Sequence, residues 1–195
     1  MPDYQTIRGI STFEYEEKRS RFIASAAFAD TEEAALAHLN RIKAANRTAR
    51  HNVYAYVLRE GGRTRYSDDG EPAKTAGTPV LEAIGHAGLS DVIVVVTRYF
   101  GGVLLGTGGL VRAYSHGAKI AVDAAQRKLM TTCVVLSMEL DYSFYGKLTY
   151  ILPNYTCRVE DTDFGAVVKM RVLFKKDEAD AFIKEVTEMS AALIV

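Results

Sequence analysis

Two groups of residues in this 195-residue chain have the types and spacing that chemistry needs. Asp68, Asp69 and Glu71, in the run Asp68-Asp69-Gly70-Glu71-Pro72, place three carboxylates within four positions. Such a set could hold a divalent cation through its oxygens or move a proton at a reacting centre, with His51 as its partner. The alternate-residue ligand ladder and closing glutamate of an EF-hand are missing. An Asp-Gly turn whose acids face water or pair with nearby arginines explains the same run. Among His38, His51, His86 and His116 no pair has metal-ligand spacing, and Ser67, Thr75 and Ser115 lie outside a GxSxG setting. No metal and no cofactor are expected.

The second group is Arg98, Tyr99, Gly101, Gly102, Gly106, Gly108, Gly109 and Arg112. A helix starting near Gly109 would have unpaired amides at its N-terminus, and glycines would let a phosphate reach them between Arg98 and Arg112. The same glycines would equally serve tight backbone packing. A P-loop is excluded because no Gly-Lys-Ser/Thr follows, and Gly106-Thr107-Gly108-Gly109 lacks the third spaced glycine of a dinucleotide fingerprint. Arg41, Lys43, Arg47 and Arg50 follow one another without an intervening acid, which suits a polyanion or a solvated helix end. Tyr54, Tyr56, Tyr66, Tyr99, Phe100 and Tyr114 accompany Arg59, Arg63, Arg65, Arg98 and Arg112, a combination that can bind single-stranded nucleic acid by charge and stacking. The apolar rim Tyr99, Phe100, Val103 and Leu104 would suit a protein partner instead.

The elements that must position these residues are read from periodicity and end signals. Strands are expected at Ile10–Glu16, Arg21–Phe28, His51–Arg59, Arg63–Ser67 and Asp91–Thr97, the last buried on both faces. Asp30-Thr31-Glu32-Glu33 opens a helix to about Asn46, and Thr78-Pro79 fits the N-cap and first position of a helix to Ala87. A further helix runs from Gly109 to Arg127, with Arg112, His116, Lys119 and Asp123 on one polar stripe. Beyond it come strand Thr132–Tyr142, helix Gly146–Leu152, strand Tyr155–Glu160, a turn at Asp161–Asp163, strand Ala166–Phe174, helix Asp177–Glu188 and a last strand at Ala192–Val195. That order is the split βαβ pattern, β-α-β-β-α-β. Two α+β domains are expected, 1–128 and 129–195.

Composition fits a globular protein, with 48% hydrophobic and 25% charged residues. Residues 1–128 carry 17 Lys and Arg against 14 Asp and Glu, whereas 129–195 carry 7 against 10. The excess of cations thus sits with the glycine-rich segment. No apolar run reaches the roughly 18 residues of a membrane span, and the first 20 residues lack a signal peptide's apolar stretch. Two cysteines, Cys133 and Cys157, form no disulfide framework. A cytoplasmic protein without membrane contact is expected.

SDDGEP, then TAGTPVLE, then VVVTRYFGGVLLGTGGLVRAY resembles the signature of the IMPACT family, also called the YigZ or UPF0029 family. The match spans Ser67–Tyr114, and the whole chain is similar to the bacterial two-domain type with a C-terminal DUF1949 domain. The resemblance implies a ribosomal-protein-S5-domain-2-like fold followed by a ferredoxin-like one. Where many relatives read Ser-Gly after the proline, this chain has Ala73-Lys74, which removes a hydroxyl from the acidic loop. Eukaryotic relatives act in translational control, and the domain pairing is similar to the last two domains of elongation factor G.

The expected function is therefore a non-enzymatic binding protein linked to translation. RNA, the ribosome or a ribosome-associated protein would meet the glycine-rich loop, Arg98, Arg112, Arg47 and Arg50. The alternative is a small-molecule or phosphate-ester hydrolase using Asp68, Asp69, Glu71 and His51.

Overall fold

A computed structural model describes residues 3–191. They form two compact units, one of Tyr4–Met130 and one from Thr131 onward that includes Asp3. The first contains β1 (Tyr4–Arg8), β2 (Ile10–Glu17), β3 (Ser20–Phe28), α1 (Glu32–Ala45), β4 (His51–Val57), β5 (Thr64–Ser67), α2 (Gly77–His86), β6 (Val92–Tyr99), α3 (Thr107–Asp123) and β7 (Gln126–Met130).

Its main sheet has the order β2-β3-β6-β4-β5, and each neighbouring pair is antiparallel. β6 is central and buried from Val92 to Arg98 because helices cover both faces. Val92, Val94 and Val96 point into a core with Val80 and Ile84 of α2 and Leu110, Ala113 and Tyr114 of α3. Ile93 and Val95 point the other way, against Ala35 and Leu39 of α1. The period-two alternation assigns each β-branched residue to one core. Each such burial contributes roughly 1.5–3 kcal/mol over exposure.

The helix ends are set locally. Thr31 Oγ1 accepts from the Ala34 amide at the start of α1, with Glu32 and Glu33 in its first turn. α2 begins before the expected Thr78-Pro79, with Ala76 at its N-cap. The cap comes from outside the helix: Asp68 Oδ1 accepts from the amides of Ala76 and Gly77 at 3.0 and 2.8 Å. Thr78 caps nothing, and its buried Oγ1 has no partner.

α3 also differs from its expected span. It starts at Thr107, behind Gly106 in the left-handed region at φ 72°, and stops at Asp123 rather than Arg127. Gln126–Met130 instead pairs antiparallel with Tyr4–Arg8, a ribbon that neither segment's sequence announces. Ile7 buries its side chain in the main core, while Arg127 Nη1 donates to the Ala87 carbonyl and to Gln5. These tertiary contacts override the helical pattern that runs through Ala124 and Ala125.

The second unit holds β8 (Cys133–Leu140), α4 (Tyr142–Ile151), β9 (Cys157–Phe164), β10 (Val168–Lys175) and α5 (Lys176–Ala191). Its antiparallel sheet has the order β8-β10-β9. That order, with a helix after β8 and another after β10, is the ferredoxin-like arrangement. Phe144 and Leu148 of α4 and Phe182 of α5 share a core with Val168, Met170, Val172 and Phe174 of β10.

α4 starts behind Asp141, a turn earlier than expected. Asp161–Asp163 belong to β9 rather than to a turn, and the register shift opposite Arg171 and Val172 leaves Glu160 as the extra residue. The reversal falls at Gly165, whose amide donates to the Val167 carbonyl. The strand expected at Ala192–Val195 lies outside the described residues. Among those described, no helix is long and apolar enough to cross a membrane.

Candidate functional site

His51 at the start of β4 is registered directly against Arg98 near the end of β6. This pairing brings the acidic loop after β5 beside the glycine-rich loop after β6. Together they line one cleft of about 520 Å³. Arg50, His51, Gly70, Glu71, Pro72 and Arg98 line it together with Phe100, Leu104, Leu105, Gly106, Thr107 and Leu110. A volume of this size accommodates a small-molecule or single-nucleotide ligand.

The three carboxylates have separate structural tasks. Asp68 holds the start of α2, and its Oδ2 also accepts from the Lys74 amide at 2.9 Å. Asp69 Oδ2 accepts from the Asn52 amide at 2.6 Å, while Oδ1 lies 3.6 Å from Lys43 Nζ. The Glu71 side chain is almost wholly buried: its Oε1 accepts from Arg98 Nη1 and from the Tyr114 hydroxyl, each at 2.7 Å. Burial, and next the neighbouring Glu71 charge, push the Tyr114 phenol far above its ordinary pKa. It therefore serves as a fixed donor. Among the described residues no three His, Cys, Asp or Glu side chains group as metal ligands.

His51 Nδ1 donates to the Asp69 carbonyl oxygen at 2.8 Å, which fixes the ring in the cleft wall. Nε2 is 3.8 Å from Glu71 Oε1. Both hydrogen bonds to the Glu71 carboxylate are made at Oε1, from Arg98 and Tyr114.

Arg98 is the cation behind this wall. It is 5% exposed, its Nη2 reaches Ser20 Oγ at 3.4 Å, and its guanidinium lies over the rings of Phe22 and Phe100. Its Nε has no partner. The exposed cation at the cleft is Arg50, whose guanidinium lies 5.9 Å from the Phe100 ring centroid. Arg47 is exposed in the turn after α1. Tyr99 donates to Asn46 Oδ1 and lies under Arg21, so it braces α1 instead of lining the cleft. Arg112 faces a different depression, with Tyr15, Glu17, Lys18 and His116.

The glycines divide in the same way. Gly101 meets the β2–β3 turn so closely that a Cβ would stand 1.8 Å from the Arg19 carbonyl oxygen. Gly106 turns the chain at positive φ and delivers the N-terminus of α3 to the cleft. The first intrahelical bond there runs from the Leu110 amide to the Gly106 carbonyl, so the amides of Thr107, Gly108 and Gly109 precede the ladder. Gly102 is exposed, and Gly108 and Gly109 lie in the first turn.

Sequence reasoning missed Ser20, whose hydroxyl also accepts from the Gly101 amide, and Leu105 and Leu110 in the cleft wall. The usable signal was the helical spacing of Leu110 and Tyr114, which puts both on one side of α3.

The fold and this cleft define a two-unit α+β protein with a cleft built between two loops of the first unit. The model of the Impact N-terminal domain matches residues 18–122, and that of the domain of unknown function DUF1949 matches 138–192. An IMPACT family member from Haemophilus influenzae is 33% identical over 198 residues, covering 100% of this chain and 96% of that protein. The family member YvyE from Bacillus subtilis is 33% identical over 191 residues, 96% of this chain and 87% of that one. A crystal structure described as that of a hypothetical protein superposes with a TM-score of 0.68 at 31% identity, covering 98% of this chain and 94% of that one. The chain belongs to the IMPACT family.

Proposed function

We propose that this protein is a cytoplasmic, translation-linked regulator that binds a single RNA strand at the cleft between the acidic and glycine-rich loops. The observation that carries the reading is the convergence there of the Arg50 cation, the exposed Phe100 and Leu104 side chains, and the N-terminus of α3. Arginine and helix amides neutralise phosphate, and an aromatic ring stacks on an unpaired base. The tie to translation follows the eukaryotic members of the family, through the resemblance described above.

Arg98, Asp68, Asp69 and Glu71 support the site from behind through their bonds to the protein itself. His51, with the acidic loop Asp68-Asp69-Gly70-Glu71, would carry the hydrolase alternative. The test is binding of an unstructured fluorescent RNA across a salt series, with product analysis of the same RNA. Binding should weaken with salt, with a log–log slope of about −0.7 for each phosphate neutralised. Arg50→Ala should reduce the slope by about that amount, and Phe100→Ala should weaken binding at every salt concentration. Binding that ignores salt, or none at low salt, rejects the reading. Cleavage lost in His51→Ala would establish the alternative.

A further inference from the structure

We infer that the turn between β2 and β3 is a second phosphate contact for the RNA strand, which leaves the cleft across the first turn of α3 and passes Arg112 and Lys18. The inference rests on the RNA reading of the cleft and adds the course of the strand beyond it. The turn has the wrong local chemistry for its shape. Glu17 and Ser20 pair directly across a two-residue loop, and both loop residues, Lys18 and Arg19, have positive φ, 46° and 64°. Two such angles define a type I′ turn, for which Asn-Gly is the favoured pair. Residues with a Cβ are strained there, and strain of this kind collects at functional sites.

Both side chains are exposed, and neither makes an ion pair among the described residues. The turn is nonetheless fixed against the glycine-rich loop. Gly101 approaches the Arg19 carbonyl so closely that no side chain fits between them, and the Gly101 amide donates to Ser20 Oγ at 3.3 Å. Two unpaired cations are thus held against the chain one residue beyond Phe100, which lines the cleft.

The first turn of α3 joins the cleft to a second hollow. Gly106, Thr107 and Leu110 line the cleft, whereas Gly109 and Arg112 line a depression of about 400 Å³ that Lys18 also borders. Arg112 Nη1 lies 3.7 Å from where a Cβ on Gly108 would stand, so the guanidinium folds back over that turn. Gly108 and Gly109 put no side chain between the two hollows. One carboxylate, Glu17, lines the depression with Lys18 and Arg112. A membrane surface carries phosphates too. The tip, Glu17-Lys18-Arg19-Ser20, however, has no apolar side chain to enter a bilayer, and a flexible strand follows a hollow that a flat surface cannot.

The experiment measures binding of the full chain to a fluorescent ten-nucleotide uridine strand across a salt series. The first variant, Lys18→Asn/Arg19→Gly, installs the favoured turn pair, so its urea midpoint should rise above that of the parent. Its log–log slope should shrink by about 1.4, the share of two phosphates at about 0.7 each. Its affinity should accordingly fall about 25-fold at 0.1 M salt, a loss that vanishes toward 1 M. The second variant, Lys18→Gln/Arg19→Gln, keeps the strained angles without the charge and should lose as much. Unchanged affinity and slope in both variants overturn the inference and leave the RNA reading intact. A lower urea midpoint for the Asn-Gly variant would assign the two side chains to the fold and overturn it equally. Binding to phosphatidylserine vesicles that both variants lose, with RNA binding unchanged, would give the turn to a membrane surface instead. A parent that does not bind the strand at low salt overturns both the inference and the reading beneath it.

Discussion

Glu71 Oε1 and Arg98 Nη1 stand 2.7 Å apart, with 4% and 6% of their side chains exposed. The pair spans from the acidic loop to β6, and the Tyr114 hydroxyl closes it from α3. Removing one member strands the other charge in the interior, which typically costs about 3–5 kcal/mol. Arg98→Ala should therefore lower the urea midpoint strongly, and Glu71→Leu combined with Arg98→Leu should recover most of the loss. Equal midpoints for Arg98→Ala and the unaltered protein would show that the pair does not hold the loops together. Arg98 is thus a poor probe of binding, and Arg50 is the better one.

Asp68 anchors the other end of the acidic loop. Its carboxylate accepts three backbone amides, those of Lys74, Ala76 and Gly77, and so stands in for the side-chain cap that α2 lacks. Asp68→Ala should cost about 1–2 kcal/mol, the range of a lost cap. Asp68→Asn, which keeps one acceptor oxygen, should cost less. Chemical unfolding of both variants checks the order; equal losses would mean that charge, not acceptor geometry, fixes the loop.

Glycines that look alike in the sequence should respond oppositely to alanine. At Gly101 the added methyl would overlap the Arg19 carbonyl, so the β2–β3 turn or β6 must move. At Gly108 it would meet only Arg112 Nη1 at 3.7 Å, in a helix where alanine gains up to about 1 kcal/mol. Gly101→Ala should unfold at markedly lower urea than the parent and Gly108→Ala at equal or higher urea. A mild effect at Gly101 would place the turn further from it.

The contrast between those glycines explains what could be read in advance. β6 was legible because a run of β-branched residues buried on both faces has few other uses, and α1 because Thr31 and the acids after it mark its start. β1 and β7 were not, since Gln126-Arg127-Lys128 has no strand pattern and becomes a strand only through pairing with Gln5 and Thr6. In the site, Asp68, Asp69, Glu71 and His51 stood out by type. Their tasks did not, because whether a carboxylate is free or held depends on amides as far away as Ala76 and on Tyr114, 43 positions along. Arg98 and Arg112 seemed equivalent flanks of one loop, yet the strand buries the first and the helix turns the second to another face.

His38 gives the fold a sensitivity to acid on the face away from the cleft. Buried on the sheet-facing side of α1, it has Arg41 Nη2 3.0 Å from Nδ1 and Ser25 Oγ 3.2 Å from Nε2. Arg41 can only donate, so Nδ1 accepts and Nε2–H donates to Ser25. Burial, helped by the Arg41 charge, pushes the His38 pKa down to about 4 from 6.5. Between those values the unfolded chain binds the proton and the folded one does not, so stability falls as the pH drops through this window. Protonation of the folded state would set a second donor against Arg41. His38→Gln keeps an acceptor and a donor without a titrating group. Urea midpoints measured between pH 7 and 4.5 should fall more steeply for the parent than for His38→Gln. Parallel pH profiles would assign the acid sensitivity of the fold to other groups.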